Sequence, residues 1–157
     1  MKRKNRGKTI NGQITQHFSW NEARCISGAN VPEQYHYNVF KVAGNLELVR
    51  LALQCPIIVD KWYTPEKYNE AEIKESVFGF EIGISVLIRT EKFEPLDVWK
   101  IMNAMMNLSL ITKGGLYLHD NCVHYDIRGE KLIKDFSSDL KLDKFINHKK
   151  EKQNGHQ

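Results

Sequence analysis

The sequence predicts an α+β fold, with helices packed on a small antiparallel sheet. Three observations predict it. Apolar residues recur at three- and four-residue spacing over residues 34–54 and again after Pro95. They alternate over residues 78–88. The late stretch GGLYLHDNCVHYDIRG, residues 114–129, divides into two apolar runs about a polar turn.

The elements follow in order. Ser19, with Glu22 three residues on, has the form of a capping box and starts a short helix over 20–25. SGANVPEQ is a turn-rich link. Pro32 then precedes a long helix over roughly 34–54, where Val39, Val42, Leu46, Val49 and Leu53 make one apolar face. The β-branched run Ile57, Ile58, Val59 after Pro56 reads as a short strand, and TPEKYNEAEIKES as a loop. FGFEIGISVLIRT reads as a strand, with Gly79 and Gly83 marking close backbone approach or a bulge. Pro95 sits in the first turn of a second helix, on which Leu96, Trp99, Met102 and Met106 share a face. KGGLYL and NCVHYDIRG are two strands joined by a turn over 119–121. The remainder has weak amphipathic character and fades into a basic tail.

A chain of 157 residues suits one domain with its own core. The reading is a basic flexible segment over 1–13, a single domain over 14–146, and a basic flexible tail over 147–157. Hydrophobic content of 41% and charged content of 27% are ordinary for a globular chain. No apolar run reaches the length of a membrane span. The basic start lacks the apolar stretch of a signal peptide, so the expected location is the cytoplasm of the producing cell, or a virion. The net charge of +4 gathers at the ends: Lys2, Arg3, Lys4, Arg6 and Lys8, then Lys149, Lys150 and Lys152. Such ends bind polyanions in some proteins, which keeps a nucleic-acid partner open, but more often they are solvated. Cys25, Cys55 and Cys122 form no CxxC pair and, by number and spacing, no disulfide framework.

Four landmarks occur in order: HFSWNEA, LELVRLALQCPIIVDKWYTPEKYN, a glycine-containing strand, and GGLYLHDNCVHYDIRG. Together they resemble the zinc D-Ala-D-Ala carboxypeptidase and phage endolysin family of peptidases, in its short single-domain branch, over about Thr15 to Gly129. The second landmark is similar to that family's "PI-I-SGYR … P…N" stretch, and VHYDIRG to its "VH-D-RG" ending. The resemblance implies the D-Ala-D-Ala carboxypeptidase and hedgehog-like architecture. It also implies a zinc site that cleaves peptide bonds in cell-wall stem peptides.

The family's late His ligand aligns with His124. Its middle motif, S-x-H-x-x-G-x-A-x-D, aligns Gly83 with the glycine and Ser85 with the alanine, so Phe80 stands at the His position and Leu87 at the Asp position. Neither residue can coordinate a metal. Tyr63 stands where the family carries its substrate arginine, and Asn121 where some branches carry an acidic base, with Asp120 one residue further away. A catalytic zinc needs about three protein ligands. Between Glu66 and Leu118 there is no histidine to replace the lost one.

His119, Asp120, Cys122, His124 and Asp126 remain clustered. On a strand Asp120, Cys122, His124 and Asp126 share one side and are the candidates for a rebuilt metal site, with His119 or His17 helping. The plainer reading has His124 hydrogen-bonded inside an inherited scaffold and Asp126 paired with a backbone donor or with Arg128. Phe80 and Leu87 would then floor an apolar groove with Trp62 and Tyr63 at its side, suited to a peptide or protein partner. The expectation is a catalytically degenerate domain with no cofactor, binding virion proteins or a cell-wall peptide. An active zinc peptidase and a nucleic-acid-associated protein are the alternatives.

Overall fold

In the computed structural model of the chain, the described residues are 12–65 and 79–155. The expected flexible start up to residue 11, the loop beyond Pro65, and Phe78 lie outside them.

The capping box forms as expected. The Ser19 hydroxyl accepts from the Glu22 amide at 3.3 Å, and the Glu22 carboxylate accepts from the Ser19 amide at 2.8 Å. It starts a single turn, α1 (Trp20–Ala23), shorter than predicted. A 3₁₀ turn, Glu33–Tyr35, leads into α2 (His36–Leu53). All five apolar residues predicted for its inner face are buried, with Ala43 beside them. Helix α3 (Pro95–Asn107) carries Pro at its start. Trp99, Met102 and Met106 are buried as predicted, and the Trp99 indole N–H donates to the Leu116 carbonyl at 3.1 Å, pinning α3 to the sheet.

The sheet has five strands: β1 (Ile58–Lys61), β2 (Ser85–Arg89), β3 (Gly115–Leu118), β4 (Val123–Asp126) and β5 (Leu132–Asp135), in the order β1-β2-β4-β3-β5. Three corrections to the sequence reading follow. The sheet is mixed, because β5 runs parallel to β3. The strand predicted over 78–90 is confined to β2. Phe80–Ile82 is a 3₁₀ turn flanked by Gly79 and Gly83, both with positive φ (83° and 74°), a conformation that ends an extended run and that glycine adopts freely. Finally, the tail is not featureless. Beyond β5, helix α4 (Lys141–Asn154) crosses the expected boundary at 146/147 and carries Lys149, Lys150 and Lys152 on exposed positions.

One sheet face packs against α2 and α3 through Val86, Ile88, Leu116, Leu118, Val123 and Tyr125. On the other face the register aligns Lys61, Leu87, His124, Tyr117 and Lys134 in one row across all five strands. No helix of the described residues is long and apolar enough to cross a membrane. The three cysteines are free.

Candidate functional site

The face opposite the helices holds most of the residues singled out in the sequence. His124 is 1% exposed and Asp126 0%. Their side chains meet on one side of β4, as alternation requires, with His124 Nε2 2.8 Å from Asp126 Oδ2.

Asp126 is the hub. Its Oδ1 accepts from the Gly115 amide (2.8 Å), from Arg128 Nε (2.8 Å) and from the Arg128 amide (3.2 Å). Its Oδ2 accepts from an Arg128 terminal nitrogen at 2.5 Å. The pairing expected with Arg128 or with a backbone donor is made with both. Burial pushes the Asp126 carboxyl upward most strongly, but the bonds from His124, Arg128 and Gly115 together outweigh it and hold the pKa far below the usual carboxylate range. An ionised carboxylate only accepts, so His124 Nε2 carries the hydrogen of this bond. Burial lowers the His124 pKa, Asp126 opposes the shift, and the Arg128 and Lys61 charges assist it. The balance favours the neutral imidazole.

The double glycine before Tyr117 has its reason here. A Cβ on Gly115 would lie 2.4 Å from Asp126 Oδ2, and one on Gly114 1.7 Å from the Asp126 carbonyl oxygen. Only bare backbone lets β3 approach the buried carboxylate.

Around His124 the walls are aromatic. Tyr117, its cross-strand neighbour, stacks on the imidazole with centroids 4.4 Å apart and planes 10° from parallel. Phe80 meets it edge-on at 5.6 Å. Leu87 faces it across the β2–β4 ladder. Phe80 and Leu87, at two of the positions that the resemblance assigns to zinc ligands, thus both lie beside His124, at the third. The first two offer no donor atom, and the third, with its Nε2–H given to Asp126, leaves Nδ1 as the one metal-binding atom of the set. This donor set does not fit a catalytic zinc.

The other members of the proposed rebuilt site have partners of their own. His119 stacks on Phe136 at 5.3 Å. Asp120 accepts from the amide and hydroxyl of Ser138 at 2.8 and 3.0 Å, tying the β3–β4 turn to the segment before α4. Cys122 lies in that turn, outside β4. His17 is held by Glu47 at 2.7 Å. Among the described residues no three His, Cys, Asp or Glu side chains converge as a metal would require.

The groove differs from the expected one. Trp62 and Tyr63 do line a cleft, of about 760 Å³, but it runs along the edge strand β1 with Arg24, Asp60 and Arg89. Phe80 and Leu87 are not among its described lining residues; they belong to the closed aromatic layer over His124. The Trp62 indole N–H points inward to the Gly83 carbonyl at 3.4 Å.

The site also contains residues that the sequence reading passed over. Tyr117, Lys61 and Lys134 share the His124 row. Lys61 Nζ lies 4.5 Å over the Phe80 ring, and Lys134 Nζ 5.6 Å over Tyr117. Arg128, paired with Asp126, lies 5.8 Å over the same tyrosine. Tyr117, Lys61 and Lys134 all lie on strands other than β4, so only the register brings them beside His124. No family model, curated protein or solved structure matches the chain.

Proposed function

We infer that this chain is a catalytically degenerate domain of the D-Ala-D-Ala carboxypeptidase and endolysin type, acting by binding or assembly rather than by hydrolysis. One observation carries the inference. The three positions that the resemblance matches to zinc ligands are neighbours around one imidazole, and the two that have lost their donors are filled by apolar side chains packed against it. A chance alignment would have no reason to bring residues 80, 87 and 124 together. The buried Asp126–His124–Arg128 network then supports the scaffold instead of a metal. A phage or prophage setting, in a virion or at the cell wall, is the context that the resemblance suggests.

The test is elemental analysis of the full chain purified without chelator, beside hydrolysis of cell-wall stem peptides and co-sedimentation with isolated walls. The reading predicts zinc far below one per chain and no cleavage. About one zinc per chain, lost in His124→Gln with the fold retained, or His124-dependent cleavage, would overturn it. Phe80→His combined with Leu87→Asp tests the alignment directly. If these positions descend from a metal site, zinc uptake should rise toward one per chain and should need His124.

A further inference from the structure

Helix α2 is apolar on two opposite sides. Its inner side is the core stripe already described. Its outer side carries Tyr37 (71% exposed), Phe40 (56%), Leu48 (45%) and Leu51 (67%). A helix apolar all round belongs in an interior, and a surface stripe of four large side chains on one element calls for a cover.

The spacing of the stripe is palindromic about Gly44: positions 37 and 51 lie seven residues to either side, 40 and 48 four. At 3.6 residues per turn, all four lie within about 40° of Gly44 around the helix axis. Among the described residues nothing lies within 4 Å of where a Gly44 Cβ would stand, so packing among them gives no reason for a glycine in mid-helix. A second backbone crossing at that point would give one. The flanking charges follow the same symmetry. Lys41 lies three residues before Gly44 and Glu47 three after, and the Glu47 carboxylate is held at the border of the stripe by Thr15 (2.7 Å) and His17 (2.7 Å).

We propose that the outer face of α2 is a homodimer interface in which two copies of the chain pack α2 antiparallel across a two-fold axis at Gly44. A two-fold contact requires a self-complementary patch, and apolar positions spaced symmetrically about one residue meet one another on an antiparallel helix pair. Residue 37 of one copy then faces 51 of the other, 40 faces 48, and Lys41 faces Glu47. Phe40, Gly44 and Leu48 form one i±4 ridge, the kind that interdigitates with its own copy in the commonest helix-crossing class. A cleft of about 460 Å³, lined by Glu47, Leu48, Leu51, Cys55 and Pro56 among others, adjoins the far end of the stripe, where the aromatic rings of Tyr37 and Phe40 from the second copy would arrive. This inference stands independently of the functional reading above.

The experiment is sedimentation equilibrium on the full chain across roughly 1–300 μM, a range chosen for an interface smaller than the standard size. A reversible dimer is expected. Phe40→Glu should weaken it at least ~100-fold, because each substitution removes two anchors by symmetry, at about tenfold each. Circular dichroism of that variant should stay unchanged, since the side chain is outside the core. Under mild oxidation, Gly44→Cys should give a covalent dimer faster than Ala52→Cys, an exposed position on the same helix away from the stripe. A monomer throughout the range would overturn the proposal, as would a dimer indifferent to Phe40→Glu, or equal cross-linking of the two cysteine variants.

Discussion

The two faces of the sheet each bury their central residues, but by different physics. Toward α2 and α3, Val86, Ile88, Leu116, Leu118 and Val123 are held by apolar contact alone, and each shares its burial with many neighbours. On the far side, Asp126 and His124 are equally buried, yet every bond there is specific: a carboxylate with donors from Gly115, Arg128 and His124, and an imidazole between two aromatic rings. The first face tolerates substitutions that preserve volume. The second does not, because removing one partner leaves others buried and unsatisfied. Such a network adds little stability over an apolar replacement.

Substitution at the hub should expose the contrast most sharply. Asp126→Ala leaves the Gly115 amide and the His124 N–H without an acceptor and the Arg128 guanidinium without its anion; the expected loss is about 3–5 kcal/mol. Ile88→Val, at an equally buried position on the opposite face, should cost only about 0.5–1.5 kcal/mol. Urea denaturation of both variants checks the pair. Comparable losses would mean that the two faces do not differ as argued. Next in size is Gly115→Ala. Its Cβ would enter the space of Asp126 Oδ2, for an expected cost of about 1–3 kcal/mol. That cost acts through the carboxylate, so the double variant with Asp126→Ala should fall measurably short of the sum of the two single losses.

The same contrast explains what the sequence disclosed. The core face was legible from periodicity: the inner stripe of α2 and the burial of Trp99, Met102 and Met106 were read correctly, because an amphipathic pattern is a local property. Parity placed His124 and Asp126 together for the same reason. The failures are non-local or rest on backbone geometry. Alternation over 78–90 suggested one strand, but positive φ at Gly79 and Gly83 turns its first half into a 3₁₀ turn. Strand β5 was missed because its four residues are half-exposed and gain their place only by parallel pairing with β3. Helix α4 was missed because its apolar side is little more than Leu142, Phe145 and Ile146. The closed layer over His124 needed the register of β2, β4 and β3, which no single stretch encodes.

The pH dependence separates the faces most finely. His124 is neutral in the folded protein, its pKa lowered chiefly by burial, while the unfolded chain regains the ordinary value of about 6.5. Unfolding therefore takes up a proton, and stability should be full above that value and decline as pH falls through it. Asp126 acts in the same direction at lower pH. Its folded pKa is depressed, so its contribution persists above the unfolded value of about 3.9 and is lost below it. His119, also lowered chiefly by burial, adds to the first decline. Titration of one imidazole cannot exceed about 1.4 kcal/mol per pH unit, so the measurement is a slope and not a level. His124→Gln should lower stability at pH 8, where a buried partner is lost, yet flatten the dependence between pH 7 and 5 relative to the parent chain. Ile88→Val should shift the whole curve down with its shape unchanged. A parent curve already flat from pH 7 to 5 would mean that His124 retains its ordinary affinity for protons. A curve that rises as pH falls from 7 to 5 would instead put an imidazolium against Asp126, and the buried face would be a charge triad rather than an ion pair with a neutral histidine.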